Sequence, residues 1–484
     1  MTTAVADAGD LPELSAGEAV AAMARGDITA ERYAAALLQR CQAGRSLNAF
    51  ITLEPAQVLA AARACDRHRG TGSQLGPLHG LPVPIKDSVN TRQYPTTAGT
   101  NALRGFRPKQ DAAVVRALLG AGAIVLGKTN LHELSFGWTS DNQAFGPVRN
   151  PYDTARIAGG SSGGTAAAVA ARMAPLGVAA DTEGSIRVPA AFCGIAGFRP
   201  TIARYPNTGV APISALFDQV GPHARSVADL LLFDSVVASE PAPMRQAGLA
   251  GVRLAVDRDY WFTDLHPEVE RIATQSLRKL QDAGAQLVEA HLPGLTRLIE
   301  LTTSPIQNHD FVPAVSEYLE RYQAGVSFEQ LLAAAGDDVK HDIAACVFAG
   351  GRYYASDSAY QAARDVYLPE LREAYRSYFA RTAAAAIVFP TTMIPPPLIG
   401  EKALEVRGRI LPFRTAVARN ISPASTAGLP GLVLPAGLTA QGLPVSLEFD
   451  GPVGTDRILL GLGLALEAVL GRLPAPALQS RAGS

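Results

Sequence analysis

Two serines and one lysine carry the chemistry this sequence can do. Ser161 lies in Ile157-Ala-Gly-Gly-Ser-Ser-Gly-Gly-Thr165, and Ser185 lies in Asp181-Thr-Glu-Gly-Ser-Ile-Arg187. Each hydroxyl stands in a glycine-rich bend. A serine is a poor nucleophile until a base takes its proton, and no histidine lies between or beside these two. A candidate base ends the apolar, proline-stiffened run Gly80-Leu-Pro-Val-Pro-Ile-Lys-Asp-Ser88. Burial disfavours the charged form of a lysine such as Lys86, and a neutral lysine is a competent general base near pH 7. The alternative is a surface Lys86 paired with Asp87, since most lysines are solvated.

The loop around Ser161 has further readings. A glycine-rich loop before a helix can cradle a phosphate, but this one lacks the Gly-Lys-Ser/Thr ending of a P-loop. Gly159, Ser161 and Gly163 match Gly-x-Ser-x-Gly, the nucleophile elbow. That arrangement needs an acid and then a histidine downstream. His223, His266, His291, His309 and His341 follow, none in a glycine-rich or strand-end context. A plain tight turn is the third alternative.

The surrounding elements must position these groups. Residues 12–45 and 53–69 read as amphipathic helices, with Ser15 and Glu18 spaced as a capping box. The run 81–85 reads as an edge strand, because its prolines suit a sheet centre poorly. The apolar run 175–180 reads as a buried strand that delivers Asp181 to Ser185 at its end. A β-α-β unit follows over 252–290, then a mostly helical stretch at 294–383. A strand over 386–390, a hairpin over 431–449 and a closing helix at 455–470 complete the chain. Interleaved strands and helices predict an α/β layered fold.

Hydrophobic residues make up 48% of the 484 and charged residues 18%, a globular balance with a large core. The formal net charge is −1 with scattered basic residues, which argues against nucleic acid and gives no sign of anionic lipid as a partner. Cys41, Cys65, Cys193 and Cys346 form no Cys-x-x-Cys pair and no metal-spaced cluster, so they read as free thiols in a reducing compartment. The opening Met1–Asp7 has no basic start followed by an apolar run, so no signal peptide is expected. The apolar run 458–470 is too short to cross a bilayer and carries Glu467. A cytoplasmic protein is the expectation.

The chain resembles the amidase signature family of serine hydrolases. The match includes Gly80–Ser88, Lys128-Thr-Asn-Leu-His-Glu133, the run from Gly159 to Thr201, and Gly428-Leu-Pro-Gly-Leu-Val-Leu-Pro-Ala-Gly437. It is weakest over 294–383. The resemblance implies a mixed β-sheet core covered by helices, an α/β/α sandwich. It implies one domain over 1–484, with the helical region at 294–383 walling one side of the site. It also implies a Ser–cis-Ser–Lys triad, with Lys86 as base, Ser161 as the bridging serine on a cis peptide and Ser185 as nucleophile. Backbone amides of Thr182, Glu183, Gly184 and Ser185 would form the oxyanion hole, with no metal or cofactor required.

One letter departs from the family, which usually reads Asp-Thr-Gly-Gly-Ser where this chain has Glu183. If glycine's positive φ were required there, Glu183 would be strained. Its carboxylate would either face a polar wall or tune the Lys86 network and the substrate mouth. Asp181 and Arg187 read as scaffold, and His132 as structural. Ser135, Phe136 and Gly137 match the rim of the family's acyl pocket, and Met393 and Ile394 in a proline-rich stretch suggest an apolar pocket wall. The run Phe198–Asn207 is similar to the mandelamide and indoleacetamide hydrolase branch. That implies a small aryl or arylalkyl amide as substrate, with anilides, aryl esters and carbamates sharing the same chemistry, and leaves room for a homodimer. The rival expectations are a glutamine-hydrolysing subunit of a tRNA-dependent amidotransferase and an inactive binding or scaffold protein.

Overall fold

The computed structural model describes residues 11–240 and 248–477; the Met1–Asp7 opening lies outside them. Thirteen strands are present among the described residues: β1 Phe50–Thr52, β2 Pro82–Lys86, β3 Ile124–Thr129, β4 Leu176–Asp181, β5 Ala196–Arg199, β6 Gln219–Ala224, β7 Arg253–Val256, β8 Gln286–Glu289, β9 Ala386–Pro390, β10 Ala403–Val406, β11 Arg409–Pro412, β12 Gly431–Leu438 and β13 Pro444–Asp450. Eleven of them form one mixed sheet in the order β1-β3-β2-β4-β6-β5-β12-β13-β9-β7-β8, and β10 and β11 form a separate hairpin. Strands β2, β3, β5, β6, β9 and β13 are buried along their whole length. That pattern belongs to a sheet covered by helices on both faces, which is why these strands read as apolar runs rather than alternating ones. The α/β expectation is met.

Strand β2 is a correction. Its prolines suggested an edge, yet it lies between β3 and β4. It pairs with β3 from Pro82 to Lys86, with an irregularity at Val83/Pro84, and meets β4 only at Ile85↔Val178. Residues without an N–H leave the ladder sparse, and complete burial of the strand holds it in the interior instead. Because β2 and β4 are parallel neighbours, their C-terminal residues Lys86 and Asp181 emerge at the same edge of the sheet. Outside-the-strand positions at that edge are where open α/β sheets place their sites.

The expected helix over 12–45 is broken at Gly26, which caps Ala16–Arg25 in the left-handed region before Ala30–Ala43 begins. The Ser15–Glu18 capping box is present. The β7–β8 pair is parallel and spans helix Pro267–Asp282, as the β-α-β pattern predicted. Residues 294–383 are largely helical, led by Leu295–Arg321 and Asp337–Val347. A separate apolar cluster ties this region to the loops carrying Phe136 and Ile213, and the Phe136 and Phe311 rings stand 4.8 Å apart. Among the described residues no helix is long and apolar enough to cross a membrane.

Candidate active site

Lys86, at the end of β2, points its amine at the first glycine-rich loop. Its Nζ is 2.7 Å from Ser161 Oγ and donates to the Ala180 carbonyl at 3.3 Å. The Gly160–Ser161 peptide is cis. Ser162 joins the two loops, its N–H donating to the Ser185 carbonyl at 3.2 Å and its hydroxyl to the Ala180 carbonyl at 3.0 Å. Lys86 and Ser161 are fully buried. Ser185 instead lines a cavity of about 590 Å³ that Ser161 does not reach. A sealed Ser161 cannot meet a substrate, so the nucleophile-elbow alternative fails on access. The surface Lys86–Asp87 pair fails too: Asp87 is dry and forms its ion pair with Lys128 at 2.8 Å.

Burial pushes the Lys86 ammonium down to about 7, against the opposing pull of Asp181 and Asp218. Burial likewise holds His132 and His223 at about 4, with the Lys86 charge adding to the effect. Both imidazoles are therefore neutral at pH 7 and leave the lysine's environment uncharged by them. The nearest ring contacts are structural, with His132 Nδ1 beside Thr139 Oγ1 at 3.0 Å and His223 Nε2 beside the Ile186 carbonyl at 2.7 Å.

The loop that carries Ser185 rests on a charged scaffold. Asp181 pairs with Arg187 and Arg199 at 3.1 Å each, and Arg187 also reaches Glu448 at 2.6 Å, all with side chains fully buried. Burial alone would raise the Asp181 carboxyl; the two guanidiniums and a backbone amide outweigh it and hold it well below the usual range. Its oxygens accept the amides of Gly184 (2.7 Å) and Ile186 (3.0 Å) and so shape the turn that carries Ser185. The scaffold role expected of Asp181 and Arg187 thus has a specific form. The Gly184 amide, expected to face an oxyanion, is turned to Asp181 instead.

The position needing glycine in this loop is 184. Its φ is +95°, and an added Cβ would lie 1.8 Å from Ile421 Cδ1. Glu183 is not among the residues with positive φ, so the feared strain is absent. Its carboxylate is turned from Ser185 toward Ser422 and Arg414.

Ser135, Phe136 and Gly137 do line the cavity with Thr182, Glu183 and Ser185. Gly137 is small for a reason: a Cβ there would come within 2.3 Å of His132 Nε2. Met393 and Ile394 do not line it. Met393 is core, its backbone bonded to Ala416 and His266, while Ile394 borders a different depression beside His266 and Glu268. The proline-rich segment after β9 meets the Ser185 cavity at its far end, through Leu398, while Pro395, Pro396 and Pro397 border the other depression with Ile394. Sequence reasoning missed Trp138, Asp218 and Arg414. Trp138 follows the predicted rim directly, and its neighbourhood was the available signal; Arg414, in Leu411-Pro-Phe-Arg-Thr415, offered none. Among the described residues, one group has cation-ligand spacing, Asp257, Asp259 and His291, and it does not line the cavity.

A family model described as Amidase matches residues 32–460. The chain belongs to the amidase family. It is 37% identical to the indoleacetamide hydrolase of Agrobacterium vitis, over 95% of this chain and 98% of that one. It is also 37% identical to the mandelamide hydrolase of Pseudomonas putida, over 96% and 93%. A solved amidase structure superposes with a TM-score of 0.84 at 32% identity, covering 95% of this chain and all of that one. The protein is an amidase-family hydrolase close to indoleacetamide and mandelamide hydrolases.

Proposed function

We propose that this amidase cleaves the C–N bond of small aryl and arylalkyl amides through an acyl-enzyme on Ser185. The observation that carries this is the 2.7 Å approach of a fully buried Lys86 amine to Ser161, beside a Ser185 that opens to the cavity. Neutral Lys86 accepts the Ser161 proton as Ser161 accepts that of Ser185. Ser185 Oγ bonds to the acyl carbon, and the charge on the carbonyl oxygen is met by the amides of Thr182, Glu183 and Ser185. These are the hole donors left after Asp181 takes Gly184. As the C–N bond breaks, the proton returns through Ser161 to the departing amine. Water then adds to the acyl carbon by the same relay and releases the acid. Each step uses the chain's own groups.

The cavity supports the substrate class. Phe136, Trp138 and Phe413 supply aromatic walls beside Ser185, with Ile213 and Ala345 between polar edges. Such surfaces suit an aryl group near the scissile carbonyl. Anilides, aryl esters and carbamates place a comparable carbonyl at the same point and belong to the proposed range. The test is turnover by the isolated chain of phenylacetamide, mandelamide and indoleacetamide, the matching anilides, esters and carbamates, and glutamine. Turnover of the aryl amides with none of glutamine is expected. Glutamine as the sole substrate would favour an amidotransferase subunit, and no turnover of any would favour an inactive scaffold.

A further inference from the structure

The departure at position 183 has a partner. Glu183 is 4% exposed and accepts the Ser422 hydroxyl at 2.5 Å. Arg414 Nη2 lies 3.3 Å from both carboxylate oxygens and donates to Ser304 Oγ at 3.0 Å. The guanidinium lies 5.6 Å from the Trp138 ring centroid, and the Trp138 indole N–H donates back to the Glu183 carbonyl at 2.7 Å. The two charges differ in access. Both residues line the cavity, but the Arg414 side chain is 40% exposed and the Glu183 side chain only 4%. A substrate in the cavity therefore meets an accessible cation whose charge is cancelled by a nearly buried carboxylate. The rest of the wall is mainly acidic, with Asp141, Asp338, Asp342 and Glu401 against Lys402, which itself pairs with Asp338 at 3.1 Å.

We propose that Arg414 and Glu183 form a specificity-determining pair that keeps the wall beside the nucleophile electrically neutral, so that the cavity selects uncharged acyl groups over carboxylated ones. The inference rests on the amide-hydrolase function proposed above. Each half guards against a different failure. Without Glu183, Arg414 is an uncompensated cation in an enclosed cavity and attracts an anionic acyl group. Without Arg414, a carboxylate stands two residues before Ser185 with no counter-charge and opposes the negative charge that develops on the acyl oxygen. Glu183→Gln keeps the acceptor for Ser422 and the backbone bond to Trp138 while removing the charge. Arg414→Met keeps the bulk.

The experiment measures binding of phenylacetamide and its para-carboxylate by calorimetry in a Ser185→Ala background, which separates recognition from turnover. Adding Glu183→Gln is expected to shift the affinity ratio toward the carboxylated amide by about tenfold. Arg414→Met is expected to shift it the other way, and the double change should return it to within about threefold of the starting ratio. In the Ser185-containing enzyme, Arg414→Met should lower kcat by about tenfold with KM little changed, with part of the loss recovered in Glu183→Gln/Arg414→Met. Circular dichroism and thermal unfolding identify any variant that has lost its fold; Arg414→Gln then replaces Arg414→Met and is expected to shift the ratio the same way. An unchanged ratio in folded variants, or equal loss of both amides, overturns the pair. Absence of amide turnover by the unmodified chain overturns the proposed function and leaves the binding ratio to decide the pair.

Discussion

Lys86 and Lys128 are equally dry and sit on neighbouring strands, with Lys86 registered opposite Thr129 and Lys128 opposite Ile85. Their partners differ. Lys128 has the Asp87 carboxylate at 2.8 Å and donates to Thr96 Oγ1 and the Pro95 carbonyl. Lys86 has a hydroxyl and one carbonyl. A buried cation with a buried anion remains a structural ion pair, whereas a buried amine facing a hydroxyl is free to exchange a proton. Burial makes both lysines unusual; the partner decides which one can be a base. The same contrast runs through the loop of Ser185, where the buried Asp181 is locked between two guanidiniums.

The contrast can be broken in graded ways. Ser185→Ala removes the only relay hydroxyl that opens to the cavity and should reduce kcat by more than about 10⁴-fold with the fold intact; steady-state turnover and circular dichroism check it. Lys86→Met should lower kcat by about 10²–10⁴-fold while leaving the denaturation midpoint near that of the parent, because no buried charge loses its partner. Lys128→Met should do the reverse. It strands the Asp87 carboxylate and should cost about 3–5 kcal/mol of stability, read from urea unfolding, with much smaller change in kcat of the folded enzyme. A Lys128→Met enzyme as stable as its parent, or a Lys86→Met enzyme that unfolds, would collapse the distinction. The gentlest probe is pH. In the proposed relay Lys86 works as the neutral amine, so kcat/KM should be level above about 7 and fall about tenfold per unit below it as the ammonium forms.

Much of this was legible in the sequence. The period and spacing of apolar residues located the helices and strands, and the two glycine-rich loops with Lys86 pointed to the residues of the proposed relay. The edge placement of β2 failed because its rule concerns lost hydrogen bonds, while the strand is held by burial on both faces. Met393 and Ile394 failed because an apolar residue near a turn gives no direction; here the backbone bonds to Ala416 and His266 hold Met393 in the core, and Ile394 borders a different depression. Glu183 was visible as a departure, but its partner Arg414 lies far along the chain in an unmarked context, and only the packed cavity joins them. Asp218, which accepts the Thr182 hydroxyl at 2.6 Å, was hidden for the same reason.

The most direct test of the Lys86–Ser161–Ser185 relay is mass-spectrometric mapping of the acyl adduct formed with an activated aryl ester or carbamate, followed across pH. The adduct is expected on Ser185, with a formation rate half-maximal near pH 7. An adduct on Ser161, or a rate on Ser185 that rises only toward the ordinary lysine range near pH 10.5, would contradict it.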